Sequence, residues 1–163
     1  TMMLFFVVNI AAALGAFLFG YLEDRIGHRR ALGLTLVGWI AVVALAVMAD
    51  SDTVFWAAAM LAGLCMGTSQ SAGRALAGAL APSHRLGEFY GLWAFATRSA
   101  AIVGPLTYGI ISWATEGNHR GALLFTGCFF VAALALLAYV DIARGVCRAR
   151  ADDASAIHAE ASS

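Results

Sequence analysis

The stretch Gly67–Pro105, GTSQSAGRALAGALAPSHRLGEFYGLWAFATRSAAIVGP, decides the fold. It lies among strongly apolar runs, yet it carries Gln70, Arg74 and Arg98 between residues that are mostly Gly, Ala and Ser. A charge beside hydrocarbon is costly and must be offset by partners, water or snorkelling. The rest of the chain says that hydrocarbon is the right reference. Of 163 residues, 61% are hydrophobic and 12% charged, where a soluble domain has about 25% charged. The chain is therefore read as an all-α integral membrane protein. Its formal net charge of zero gives no reason to expect a nucleic-acid partner. Every basic residue is arginine.

A membrane-crossing helix needs about 20 mostly apolar residues. Working outward from the quoted stretch, five segments qualify, at residues 2–19, 31–49, 54–81, 87–113 and 121–140. Together they make a transmembrane bundle over residues 1–141. A polar tail, 142–163, follows and is expected to be partly disordered. Pro82 stops the third span, and Pro105 lies inside the fourth, where its ring removes the bond to the Ala101 carbonyl. Arg25, Arg29, Arg30, Arg85, Arg144, Arg148 and Arg150 fall on one side of such a bundle, against Arg120 on the other. The positive-inside rule makes the arginine-rich side cytoplasmic. The N-terminus is then outside and the tail inside, in the cell membrane. Trp56 and Trp113 take the outer interface, and Tyr21, Tyr90 and Tyr139 the inner one.

Between the first two spans stands Gly20-Tyr-Leu-Glu-Asp-Arg-Ile-Gly-His-Arg-Arg30. Gly20, Asp24, Arg25, Gly27, Arg29 and Arg30 resemble the loop motif of the major facilitator superfamily, with His28 where a basic residue is usual. The chemistry suits a conformational latch. Gly20 permits a close helix approach, Asp24 accepts from a helix N-terminus or an arginine, Gly27 permits the turn, and the arginines reach the inner leaflet. An ordinary positive-inside loop is the plain alternative.

The third and fourth spans narrow the resemblance. Gln70, Gly73-Arg74, Pro82, Glu88-Phe89-Tyr90-Gly91, Arg98 and Gly104-Pro105 resemble the vacuole-effluxer, autophagy-related amino-acid exporter-like branch of that superfamily. Gly117-Asn-His-Arg120 matches a further run. Gly73 and Thr97 depart from the pattern. The resemblance implies that the spans are helices eight to twelve of a twelve-helix fold. It also implies a C-terminal half fragment whose partners are the lipid bilayer, the missing N-terminal half and a small-molecule substrate.

Spacing places Gly67, Gln70, Ser71, Arg74 and Gly78 on one stripe of the third span. Tyr90, Ala94, Thr97, Arg98, Ala101 and Pro105 share a stripe of the fourth. Arg98, Gln70, Arg74, Tyr90 and Thr97 are the candidates for the substrate pathway. Arg98 sits deepest, where snorkelling is hard, and its planar guanidinium suits a carboxylate. Arg74 has two readings, a pathway residue or a snorkelling one. Gly63 and Gly67 form one GxxxG, Gly87 and Gly91 another; with Gly104 and Pro105 they are read as packing and kink positions. Asn9 is expected to bond across to another helix. Glu88 is read as dipole compensation, or as a partner of Arg85 or of the Asp-Arg loop.

No Cys or His spacing suggests a metal or disulfide, and no cofactor is expected. Gly67-Thr68-Ser69 superficially resembles an intramembrane protease's Gly-x-Ser, but His28, His84, His119 and His158 all lie in loops or tail, so no catalytic residue is expected. The reading reached is a part of a secondary active transporter for a small polar solute, amino acids first. The other is a non-transporting or degenerate helical subunit that needs a partner.

Overall fold

The computed structural model describes the backbone of residues 2–161 and the side chains of residues 2–156. Its order is α1 (Met2–Ile26), α2 (His28–Val47), α3 (Asp52–Leu80), a 3-10 turn (Ser83–Arg85), α4 (Leu86–Ala114), α5 (His119–Tyr139) and α6 (Ile142–Ala161). All five expected spans are helices. By length and composition α1, α2 and α5 are apolar enough to cross a membrane. The 29-residue α3 and α4 do not reach that level, because Gln70, Arg74 and Arg98 dilute their apolar runs.

The helix ends follow local chemistry. Ser51 caps α3 by accepting the Val54 amide, and Pro82, which lacks an N–H, follows its end. Asn118 caps α5 through the Gly121 amide. Gly27 turns α1 into α2 at φ 83°, a conformation that favours glycine. The expected loop around it is shorter than the motif suggests: α1 continues through Ile26, so only Gly27 lies between the helices. α4 runs unbroken through Pro105.

α1 and α3 cross most closely. A Cβ on Gly63 would lie 2.6 Å from the Val8 carbonyl oxygen and 2.9 Å from the Ala11 Cβ. One on Gly67 would collide with the Ala12 carbonyl, and one on Gly15 with that of Leu64. The first GxxxG thus packs as its spacing predicts, with Gly15 as an additional member. Lipid tails are as apolar as Leu, so close backbone approach rather than water exclusion draws such helices together. α2 packs on α3 with Gly38 against Cys65, and Trp39 donates to Ser69 Oγ at 2.9 Å. Trp39 also stacks on Phe130 of α5, centroids 5.2 Å apart.

α4 is different. None of its residues is buried, and it rests at the edge on α3 and α5. Its glycines have no close neighbour among the described residues. Gly87, Gly91 and Gly104 face open space, and so does Gly20 on α1. These glycines make no close helix contact among the described residues. Asn9 also departs from expectation, donating to the Phe5 carbonyl of its own helix at 2.7 Å.

The tail differs from expectation as well. It is helical, because its alanine-rich composition favours a helix and Asp141 caps the first turn by accepting the Arg144 amide. Ile142 and Ala149 are buried, and Gly145 abuts Leu80. Asp153 then accepts from both the amide and the hydroxyl of Ser83, each at 2.7 Å. Thr1, residues 162–163 and the side chain of His158 lie outside the described residues.

Two outcomes follow. Gly67→Leu must push α1 off α3, lowering stability by about 1–3 kcal/mol, the usual cost of overpacking. Gly91→Ala, in open space, stays within about 0.5 kcal/mol of the parent; thermal unfolding in detergent compares them. The second concerns acid. Hydrogen bonds from the Ser83 hydroxyl and amide hold the Asp153 carboxyl below the usual aspartate range. A depressed folded pKa means the contact's contribution is full above the ordinary aspartate pKa of about 3.9 and lost as pH falls through the lower folded value. The protection of α6 amides, taken relative to the intrinsic exchange rate at each pH, should therefore fall on acidification through that range, and Asp153→Asn should flatten the dependence.

Candidate functional site

The polar stripe of α3 opens onto a groove. Gly67, Gln70, Ser71, Arg74 and Ala75 line it together with Ala16 of α1, around a volume of 510 Å³. Small residues at positions 16, 67 and 75 leave the space, and Gln70, Ser71 and Arg74 supply the polar groups. Four stripe members, Gly67, Gln70, Ser71 and Arg74, thus share one wall. Gly78 does not, because it is turned to the Tyr90 hydroxyl of α4, 2.7 Å from the position of an added Cβ.

Arg74 is exposed, but its guanidinium lies over the Trp93 ring, 5.4 Å from the centroid. Gly73, next to it, faces the indole nitrogen of the same Trp93, which lies 3.1 Å from the position of an added Cβ. The indole therefore limits where the guanidinium can go while leaving its N–H donors unspent. Trp93 was not a sequence candidate. Its position between Tyr90 and Thr97 at helical spacing was the available signal.

The α4 candidates are dispersed. Tyr90 meets α3 at Gly78. The Thr97 hydroxyl donates to the Trp93 and Ala94 carbonyls of its own helix. Arg98 is exposed. Among the described residues neither Arg74 nor Arg98 has a carboxylate within ion-pair distance.

The motif at the Gly27 turn is wired differently from its expected form. Asp24 is exposed and makes no hydrogen bond or ion pair among the described residues. Its neighbour Glu23 is buried at 5% exposure and meets His28 Nδ1 at 2.6 Å, so the residue that departs from the motif closes the turn. Arg25 lies over the Tyr21 ring at 4.6 Å, and Arg29 donates to the Ala138 carbonyl of α5 at 2.7 Å. At the opposite end, Arg120 pairs with Asp50 at 2.6 Å and ties the α2–α3 loop to α5. Beside the 3-10 turn, Arg85 pairs with Glu88, one of the expected roles of that acid.

Residues 1–150 match the family model described as vacuole effluxer Atg22 like. The chain is 27% identical over 139 residues to an uncharacterized MFS-type transporter, YxiO, of Bacillus subtilis, a match covering 85% of this chain and 32% of the relative. It is 34% identical over 95 residues to Autophagy-related protein 22 of Cryptococcus neoformans var. neoformans serotype D, covering 58% of this chain and 16% of that one. The chain thus spans about a third or less of the length of these relatives. No solved structure matches it.

The Arg74–Trp93 contact can be measured directly. A double-mutant cycle of Arg74→Met and Trp93→Leu should return a coupling of about 0.5–1 kcal/mol, the range for an exposed cation–π pair. Additive effects on thermal unfolding would mean that the indole does not hold the guanidinium.

Proposed function

The chain belongs to the family of vacuole effluxers like Atg22, and on that premise we propose that it builds one wall of a solute pathway in a larger membrane transporter. The observation that carries the reading is the pair of arginines, Arg74 and Arg98, that have no acidic partner among the described residues. An arginine kept in a membrane helix without a structural counter-ion is suited to a charged ligand or to an acid on a missing wall. The groove beside Arg74 adds an amide and a hydroxyl, from Gln70 and Ser71. Guanidinium, amide and hydroxyl together favour a small polar solute bearing a carboxylate, with amino acids as the first class to try.

On this reading all five long helices cross the bilayer over residues 1–141. Tilt accommodates the length of α3 and α4, which at about 1.5 Å per residue exceed a hydrocarbon core of about 30 Å. The arginine-rich end that holds Gly27 and α6 faces the cytoplasm, with the N-terminus outside, in the cell membrane. An N-terminal half supplies the opposing wall, and the two exchange access by rocking about the site. Tyr90 and Thr97 complete the α4 side. The Gly27 turn serves as hinge, and the unengaged Asp24 takes an arginine or helix N-terminus in the other conformer.

A catalytic role has less support. The Ser69 hydroxyl accepts from Trp39 and donates to the Cys65 carbonyl at 2.6 Å, so a structural bond occupies it. The non-transporting subunit is left as the competing reading.

The test is counterflow of radiolabelled amino acids by the intact transporter in proteoliposomes. Arg98→Ala and Arg74→Ala should each cut uptake by at least about tenfold, the loss of a charge-assisted bond worth about 1.5–3 kcal/mol. Insertion and thermal stability should hold. Unchanged uptake in both would remove the arginines from the pathway. Absence of counterflow in the parent with any carboxylate-bearing solute would favour the non-transporting reading.

A further inference from the structure

At the Gly27 end of the bundle two hollows adjoin, and both are lined by Arg29 and Arg30. The first, of 430 Å³, is a slot between α2 and α5 walled by Gly33, Leu134, Leu137 and Ala138. The second, of 460 Å³, lies toward the α5–α6 junction, with Gly27, His28, Asp141 and Val146 among its walls. Both hollows have mainly apolar walls, the second less so, and the two arginines lie on both.

Their electrostatics are one-sided. Arg29 uses one N–H on the Ala138 carbonyl, which fixes its guanidinium over the end of α5 and leaves further donors. Arg30 is exposed and has no hydrogen bond or ion pair among the described residues. The acid in the hollow, Asp141, is engaged by the Arg144 guanidinium at 3.0 Å and by the Arg144 amide at 3.1 Å. Local carboxylates therefore leave the Arg29–Arg30 charge unneutralised. The slot opens between α2 and α5, both apolar enough to lie in hydrocarbon. A soluble anion would satisfy the arginines but would have no use for the slot. A hydrocarbon chain would fill the slot but would ignore the arginines.

We propose that the paired hollows bind one phospholipid with an anionic headgroup. Its phosphodiester sits on Arg29 and Arg30, and the first part of an acyl chain runs over Gly33 between Leu134 and Leu137. This goes beyond a general attraction of basic loops to anionic membranes, because it depends on an uncharged residue. Gly33 keeps the slot open: a Cβ there would already lie 3.7 Å from Leu137 Cδ2. The lipid bridges α2 to α5 at the end opposite the Asp50–Arg120 pair, and the site stands whether or not the chain moves a solute.

The test is titration of the purified full chain, in phosphatidylcholine nanodiscs, with fluorescent phosphatidylglycerol. Phosphatidylglycerol should bind in preference to labelled phosphatidylcholine. Arg30→Ala should weaken it about fivefold and the Arg29→Ala/Arg30→Ala pair about twenty-five-fold, from about 1 kcal/mol per arginine at a membrane surface. Gly33→Phe, with charge unchanged, should lose the same preference, while Arg148→Ala/Arg150→Ala should keep it. If the Arg29 variant does not fold, Arg30→Ala and Gly33→Phe decide the matter. Equal binding of the two lipids, an intact preference in Gly33→Phe, an equal loss from the Arg148/Arg150 pair, or displacement by millimolar inorganic phosphate would each overturn the site.

Discussion

The α1–α3 crossing is the contact on which the rest of this bundle depends. Gly63 meets the Val8 carbonyl, Gly67 that of Ala12, and Gly15 that of Leu64. Three side-chain-free positions let two backbones touch, where even one methyl group would meet a carbonyl oxygen. In hydrocarbon this contact area substitutes for the water exclusion that holds soluble cores. With α1 fixed, α3 presents Cys65 and Ser69 to α2, and α2 in turn presents Trp39 to Phe130 of α5. The same crossing fixes the groove, because Gly67 faces Ala12 and Ala16 stands across from Gln70, Ser71 and Arg74.

α4 carries the other half of the polar chemistry and is held more weakly. It has no buried residue, and its contacts with α3 run through two aromatic side chains, Tyr90 at Gly78 and Trp93 at Gly73. Under the proposed function, the uncovered side of α4 is where another part of the transporter would pack. The edge position of α4 explains why Gly87, Gly91 and Gly104 face open space: a glycine confers close approach only where a neighbour is present. The ends of the bundle are tied by polar contacts, Asp50–Arg120 at one and Arg29–Ala138 at the other. α6 straps the α3–α4 connection through Asp153 and Ser83.

Much of this was readable from residue order. Apolar run length located α2 to α5 to within a few residues and the start of α1, and Pro82 and Gly27 marked real breaks. The spacing of Gly67, Gln70, Ser71 and Arg74 placed them on one wall because helical periodicity is a local property. The misreadings have physical causes. The dense charges of Gly20-to-Ile26 suggest a loop, but a helix can carry charges past the hydrocarbon boundary. The tail was taken as partly disordered because it is polar, although Ile142, Gly145 and Ala149 form a small docking face and Asp141 caps it. At the Gly27 turn the phase of α1 buries Glu23, which meets His28, and exposes Asp24.

The sequence by itself determined the solvent, the helices and the polar stripe, because composition and a 3.6-residue period act within one segment. The branch of the transporter superfamily was legible too, through motifs short enough to survive in one chain. Only the tertiary structure decided which glycines touch a neighbour, which carboxylate closes the Gly27 turn, that Trp93 lies against Arg74, and that Arg29 reaches the end of α5. Apart from the Glu23–His28 pair, those are contacts between different helices, set by the rotation and spacing of whole helices, and no local pattern encodes them.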